Sequence, residues 1–181
     1  MSTARIFKSG NSQAVRLPKE FRFRAKQVEI FRRGEIRCRM RWSRSSGFLR
    51  YLLDTEICIY AVARRSRSVL ARFDALKPGE AALSVIVFGE LCTGAAKSSH
   101  PQVSWKNLEA LIAVVGIKPL PVEAARRYGE LRTALKRKGT PVGANDLWIA
   151  AHALAEGLTL VTHNEREFRR IPKLKVENWV A

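Results

Sequence analysis

Three acidic side chains stand where apolar residues would otherwise be expected. Asp54 ends a largely apolar run at residues 48–53. Glu90 lies on the apolar face of a predicted helix, and Asp146 opens a helix whose other inward residues are apolar. Taken singly, Asp54 and Asp146 also fit acids that stabilise a helix N-terminus. Taken together, the three carboxylates have no Lys or Arg in their own motifs to neutralise them. Because a buried charge without a partner is costly, they predict a bound divalent cation.

An oxygen-only set of ligands favours Mg²⁺ or Mn²⁺ as that cation. Such an ion lowers the pKa of a bound water and polarises a phosphodiester, so it predicts hydrolysis of a nucleic-acid backbone. Thr162 and Asn164 follow a predicted strand at residues 158–161, and we expect them at the same edge of the sheet as Asp54. The sequence has no glycine-rich phosphate-binding loop, which argues against a nucleotide-binding enzyme.

The histidines do not predict a zinc site. His100 falls in a predicted loop, and His163 has no second nitrogen or sulfur ligand near it in the sequence. His152 lies two turns into a predicted helix, where a packed or an exposed side chain is the expected outcome.

The charge of the chain is strongly positive and uneven. It contains 33 Lys and Arg against 16 Asp and Glu, and residues 1–50 hold 14 of the basic side chains but only 3 of the acids. A nucleic-acid partner is therefore predicted, because basic groups that neutralise phosphates release condensed counterions. A membrane surface would require a basic amphipathic helix, whereas residues 1–37 show the pattern of short strands. The basic residues near positions 126–138 fit either a strand-holding surface or a solvated helix face.

Cysteine usage and hydropathy both indicate the cytoplasm. Cys38, Cys58 and Cys92 are odd in number and lack metal-ligand spacing, so buried free thiols in a reducing compartment are expected. No apolar stretch approaches the roughly 18 to 20 residues that span a bilayer, and the N-terminus has no signal-peptide core.

The first forty residues predict a small β-rich module. Strands are expected at residues 3–7, 13–17 and 28–32, with a fourth at 35–40 and a turn at 8–12. So short a module buries little core alone, so a dimer is expected. Its cations suit phosphates, and its amides and hydroxyls suit base edges; the alternative is a solvated charged face.

Residues 4–21, ARIFKSGNSQAVRLPKEF, closely resemble the N-terminal half of VapB-type antitoxins, and the match covers about residues 3–36. The resemblance implies a swapped-hairpin, looped-hinge-helix fold of the AbrB kind, which dimerises, binds operator DNA and represses its own operon. It also implies DNA contacts from Lys8, Asn11, Ser12, Gln13 and Arg16.

Residues 37–49 predict a linker rich in Arg and Ser. VapB-type antitoxins normally continue here into an acidic and apolar tail that wraps the toxin, and that tail is not visible. The expected organisation is therefore a DNA-binding domain at 1–36, a linker at 37–49 and a second domain at 50–181. This arrangement suggests a fusion of two adjacent reading frames, natural or engineered.

From residue 50 onward, short apolar runs alternate with helical periods, which predicts an α/β domain with a parallel sheet flanked by helices. Helices are expected at residues 57–67, 68–76, 85–96, 101–115, 122–138 and 144–156. Strands are expected at 48–54, 81–83, 116–120, 158–161 and 174–176.

Four segments in this half together resemble the PIN-domain family, and VapC-type toxins in particular. They are LDT with ICIY from residue 53, SVI with EL from 84, GANDLWIAAH from 143, and LVTHN with EF from 160. The resemblance implies a Mg²⁺-dependent endoribonuclease that cleaves structured RNA, often tRNA. It implies the metal ligands Asp54, Glu90 and Asp146, with Asn164 as a fourth catalytic position and Thr55 and Thr162 as supports of the ligands.

Glu56 departs from this pattern, because VapC-type toxins usually have Asn there and a further negative charge would repel the scissile phosphate. The alternative function is therefore a catalytically silent DNA-binding autorepressor whose PIN half serves only for dimerisation. A further hypothesis places an Arg of the linker, Arg39, Arg41 or Arg44, in the acidic pocket as an inhibitor. Expected partners are RNA, operator DNA, further copies in a dimer or dimer of dimers, and a separate antitoxin.

Overall fold

The structure is a computed structural model that describes the backbone of residues 5–9 and 12–16 and all of residues 49–180. The chain divides into two compact units, residues 1–37 and 38–181. Each unit is built around its own sheet.

The first unit contains an antiparallel hairpin, as the sequence predicts. Strand β1, Arg5–Ser9, pairs with β2, Ser12–Arg16, in a register that sets Ser9 opposite Ser12 and Arg5 opposite Arg16. The predicted turn at residues 8–12 is too long, because the strand ladder continues to Ser9 and resumes at Ser12. Asn11, the side chains of the other four predicted DNA contacts, the strands predicted at 28–32 and 35–40, and the linker lie outside the described residues.

The second unit alternates strands and helices along the chain. Its strands are β3 Tyr51–Leu53, β4 Ala81–Ser84, β5 Ile117–Lys118, β6 Thr159–Val161 and β7 Lys175–Glu177. Its helices are α1 Thr55–Val62, α2 Arg67–Ala75, α3 Val85–Ala96, α4 Pro101–Val115, α5 Val122–Arg137, α6 Ala144–Glu156 and α7 Glu165–Phe168.

The five strands form one parallel sheet in the order β5-β4-β3-β6-β7. Strand β3 is central, and all three of its residues are buried. Continuous apolar strands of this kind are typical of a sheet covered on both faces. Because the strands are parallel, the residues that follow β3 and β6 emerge at the same edge. The predicted α/β fold with a parallel sheet flanked by helices is confirmed.

Helix boundaries follow identifiable local signals. The bounds of α3, α4 and α6 agree with the prediction, and Ser84 and Gly157 explain two of them. The Ser84 hydroxyl accepts from the Ile86 N–H at the start of α3. Gly157 ends α6 in the left-handed backbone region at φ 67°, which glycine adopts without a Cβ penalty.

Other predicted bounds are wrong for local reasons. Helix α1 begins two residues early because Asp54 caps it, and it ends by Val62 before Arg64 adopts a left-handed φ of 51°. The strand predicted at 48–54 shortens to β3, and the one predicted at 174–176 lies one residue later as β7. Helix α7, unpredicted, has four residues and is too short to show a helical period.

No helix within the described residues is long and apolar enough to cross a membrane. Cys58 is buried, as expected, whereas Cys92 is only partly buried.

His152 is fully buried on α6, and its Nδ1 lies 3.0 Å from Ser84 Oγ. Burial lowers the pKa of its imidazole from 6.5 to about 4; the charge of Lys118 acts in the same direction, and that of Glu156 opposes it. The fold therefore requires the neutral ring, and the resulting stability is complete above pH 6.5 and is lost as the pH falls toward 4.

We predict that His152 accounts for about 2 kcal/mol of the stability lost between pH 7.5 and pH 5. In His152→Asn, which has no titrating ring, the free energy of unfolding from urea titrations should decrease by about 2 kcal/mol less between pH 7.5 and pH 5 than it does in the wild type. His100→Asn, at an exposed histidine, is the matched control and should keep the wild-type decrease. Equal decreases in wild type and His152→Asn would contradict the prediction.

Candidate active site

Asp54 lies at the carboxyl end of the central strand and is held by both of its oxygens. Its backbone N–H donates to the Val161 carbonyl at 2.9 Å, which continues the pairing of β3 with β6. The side-chain Oδ1 accepts from the Thr55 N–H at 2.8 Å, and Oδ2 accepts from Thr162 Oγ1 at 2.6 Å. Only 5% of the residue is exposed. Asp54 is thus a helix cap and a fixed carboxylate at once.

Glu90 reaches the same edge from α3 and is also held at both oxygens. Thr55 Oγ1 donates to its Oε2, and Asn145 Nδ2 donates to its Oε1 at 2.7 Å. Thr55 therefore contacts two of the acids, Asp54 through its backbone and Glu90 through its hydroxyl. This shared residue brings the end of β3 and the middle of α3 together.

Asp146 lies in the first turn of α6, beside Asn145. Its pKa rises from 3.8 to about 7, first because of burial and then because a hydrogen bond with Glu167 favours its protonated form. The charges of Asp54, Glu167 and Glu90 raise it further. Near neutral pH the Asp146 carboxyl is therefore partly protonated.

Neighbouring carboxylate charges act on Asp54 in the same way as on Asp146. Burial raises its pKa above the ordinary 3.8, the hydrogen bonds from Thr162 and Thr55 oppose that change, and the charges of Glu90 and Glu56 add to it. The exposed Glu56, in the first turn of α1, is therefore electrostatically part of the site. The charges of Glu56, Glu90 and Glu167 thus act on Asp54 or Asp146, and this repulsion is a cost that a bound cation would reduce.

The donor set fits a hard divalent cation. The available ligands are carboxylate, hydroxyl and amide oxygens, which Mg²⁺ and Mn²⁺ prefer. Among residues 49–180, no three acidic, histidine or cysteine groups already stand in metal-binding geometry. Burial and neighbouring carboxylates nevertheless raise the pKa values of Asp54 and Asp146, so negative charge is concentrated where a cation would bind.

The structure brings together the three predicted acids and both predicted supporting threonines. Asn164, predicted as a fourth catalytic position, caps α7, and its backbone N–H donates to Thr162 Oγ1 at 2.9 Å. Sequence reasoning missed Glu167 and Asn145 as site residues. Glu167 lies in the charged segment at residues 165–170, where nothing in the sequence pattern distinguishes it from the other charged residues.

Comparison with known proteins agrees with this geometry. The family model described as "PIN domain" matches residues 51–174. The chain belongs to the PIN-domain family. A second model, "Antidote-toxin recognition MazE, bacterial antitoxin", matches residues 6–37. The antitoxin-like N-terminus followed by a VapC-like PIN domain is therefore confirmed.

Individual relatives of the PIN domain are VapC proteins. Ribonuclease VapC2 of Rickettsia felis is 42% identical over 130 residues, which are 71% of this chain and 97% of that protein. The tRNA(fMet)-specific endonuclease VapC of Shigella flexneri is 37% identical over 131 residues, 72% of this chain and 98% of that protein. The crystal structure of Rickettsia felis VapBC2 bound to a promoter DNA fragment matches with a TM-score of 0.68 and 40% identity, covering 72% of this chain and 99% of that chain.

We predict that Asp146→Asn stabilises the metal-free PIN domain at high pH. Above pH 7 the wild-type fold carries a charge that burial and three acids oppose, whereas Asn is neutral and still donates a hydrogen bond toward Glu167. After discounting for partial exposure, the gain is about 2 kcal/mol at pH 8, and it shrinks as the pH falls toward 4.

Urea unfolding in EDTA at pH 8 and pH 5 measures this difference. Asp74→Asn, at an exposed acid on α2, is the control and should show no gain at either pH. An Asp146→Asn protein no more stable than wild type at pH 8 would show that the carboxylates do not repel one another as described.

Proposed function

We propose that the chain is a single-chain antitoxin–toxin fusion whose PIN domain is a Mg²⁺- or Mn²⁺-dependent endoribonuclease. The observation that carries the proposal is the convergence of Asp54, Glu90 and Asp146 at one edge of the sheet, where burial and the charges of the first two raise the pKa of Asp146. Ribonuclease names among the relatives support it. The proposed domains are residues 1–36 for DNA binding, 37–49 as linker and 50–181 for the nuclease.

Asp54, Glu90 and Asp146 are the proposed metal ligands and, with Asn164, the catalytic set. When bound, the cation offsets phosphodiester charge and lowers the pKa of a water. Thr162 and Thr55 orient Asp54, and Thr55 and Asn145 orient Glu90. Asn164 orients Thr162 through its backbone. Holding the ligands in fixed directions before the substrate arrives reduces the reorganisation that the reaction requires.

The substrate that we propose is a structured RNA, and tRNA is the first candidate because a relative is named a tRNA(fMet)-specific endonuclease. Exposed cations on α5 and at its C-cap would hold the RNA backbone. They are Arg126, Arg127, Arg132, Lys136, Arg137 and Lys138.

For the N-terminal unit we propose operator binding as a dimer, through Lys8, Asn11, Ser12, Gln13 and Arg16. The antitoxin match at residues 6–37 supports it, as does the relative crystallised with promoter DNA. Dimers or dimers of dimers of the chain and a separate antitoxin are the proposed protein partners.

We predict that Asp54→Asn lowers kcat/KM for Mg²⁺-dependent cleavage of a tRNA pool by about 100-fold or more, because a ligand charge is lost. Asparagine keeps an acceptor for the Thr55 N–H, so the fold should survive, which thermal unfolding verifies. Asp74→Asn is the matched exposed control and should cleave at the wild-type rate. Metal-dependent cleavage that persists in Asp54→Asn would remove the assigned site.

A second candidate function, the silent autorepressor, is favoured by one observation. Glu56 adds a negative charge that raises the pKa of Asp54 and would repel an incoming phosphate. Under this alternative the intact chain binds operator DNA but cleaves no RNA with any divalent cation.

Two variants of the intact chain distinguish these functions. If Glu56 weakens an active nuclease, Glu56→Asn should raise kcat/KM about three- to tenfold, as removal of a nearby like charge predicts. Arg16→Ala should weaken operator binding in a gel-shift assay and leave cleavage unchanged. Cleavage by neither wild type nor Glu56→Asn, together with operator binding that Arg16→Ala removes, would establish the autorepressor.

A further inference from the structure

Helices α3 and α6 are joined at two places. At the acidic edge, Asn145 Nδ2 donates to Glu90 Oε1 at 2.7 Å. In the interior, His152 Nδ1 lies 3.0 Å from Ser84 Oγ. Glu90 follows Ser84 by six residues, and His152 follows Asp146 by six, so each acid lies about 9 Å along its helix from the interior contact. The interior contact therefore joins the two helices that carry Glu90 and Asp146.

Ser84 is well placed to transmit this contact. It is fully buried, it ends β4, and its Oγ accepts from the Ile86 N–H at 3.2 Å to cap α3. A shift of the Ser84 side chain would thus move the start of α3. His152 is in turn surrounded along α6 by the buried residues Ile149, Ala151 and Ala153.

Packing alone does not account for a histidine at this position. Its second ring nitrogen, Nε2, is buried and has no hydrogen-bond partner within the described part of the chain. An unsatisfied buried polar atom is destabilising, and an apolar side chain of similar volume would avoid that cost. What the imidazole supplies and an apolar side chain does not is the directed bond between Nδ1 and Ser84.

We propose that His152 is a positioning residue of the carboxylate site. Its contact with Ser84 sets the register of α6 against α3 and hence the separation of Asp146 from Glu90. This inference rests on the proposed metal-dependent function, because the separation matters most when both acids must hold one ion. Ligand positions that shift by a few tenths of an ångström weaken a metal site, so the effect belongs to metal affinity.

Isosteric variants of the full chain test which ring nitrogen matters. His152→Asn places an amide nitrogen near the position of Nδ1, whereas His152→Gln places it near that of Nε2. His152→Leu retains volume and removes both nitrogens. The measurement is Mn²⁺ binding by titration calorimetry without RNA, so that nuclease turnover does not enter.

The expected result is Mn²⁺ binding weakened about tenfold in His152→Leu and His152→Gln, the usual size of effect for a residue that orients ligands, and weakened no more than about threefold in His152→Asn. Val69→Ala, a core change on α2, is the control for general destabilisation and should bind Mn²⁺ as wild type does. Equal Mn²⁺ affinity in His152→Leu, His152→Gln and wild type would overturn the proposal. Mn²⁺ binding weakened as much in the Val69→Ala control would also overturn it.

Two further outcomes are decisive. If His152→Leu does not fold, the comparison of His152→Asn with His152→Gln decides, since the proposal requires tighter Mn²⁺ binding by His152→Asn. If wild type itself binds no Mn²⁺, the proposed function fails. Hydrogen exchange at the first turn of α6 then tests the positioning role: it should be faster in His152→Gln than in His152→Asn, and equal rates would overturn that role too.

Discussion

Repulsion among carboxylates at one edge of the sheet is the constraint on which the rest of the PIN domain depends. Parallel strands β3 and β6 end together, and the chain places Asp54 at one end and Thr162 at the other. Glu90 and Asp146 then approach from α3 and α6. Burial and neighbouring carboxylates raise the pKa values of Asp54 and Asp146, and no Lys or Arg of the described residues offsets those charges there. The fold thus concentrates negative charge at this edge without neutralising it.

Neutral hydrogen-bond donors stabilise the carboxylates that are concentrated at this edge. Thr55, Thr162 and Asn145 each donate to a carboxylate oxygen, which fixes its direction without cancelling its charge. An Arg in the same place would stabilise the fold more and would occupy the position that a cation needs. Asp146 differs, because burial, a hydrogen bond with Glu167 and the nearby carboxylates raise its pKa to about 7. The site is therefore strongly acidic, partly protonated and already oriented.

The sequence predicted those parts of the site that contrast with their surroundings. Asp54, Glu90 and Asp146 each interrupt an apolar pattern, and so burial could be inferred from their neighbours. Glu167 has no such contrast, because it lies in the charged segment EREFRR at residues 165–170 and in a helix of four residues. The same limit explains α1, whose start depends on the backbone of Asp54 and whose end depends on the left-handed Arg64, neither of which is visible as periodicity.

Glu56 shows that one added charge can alter the electrostatics of a site without a change of fold. It is exposed, so water screens it, and yet it contributes to the raised pKa of Asp54. In the proposed nuclease, a substrate phosphate that approaches Asp54 would enter the same negative field. The exposed bases of α5 act in the opposite sense over a longer range, and salt screens those bases more than it screens a close pair. In the proposed nuclease, cleavage would therefore depend on a local balance between one added acid and a basic surface, which family membership alone does not determine.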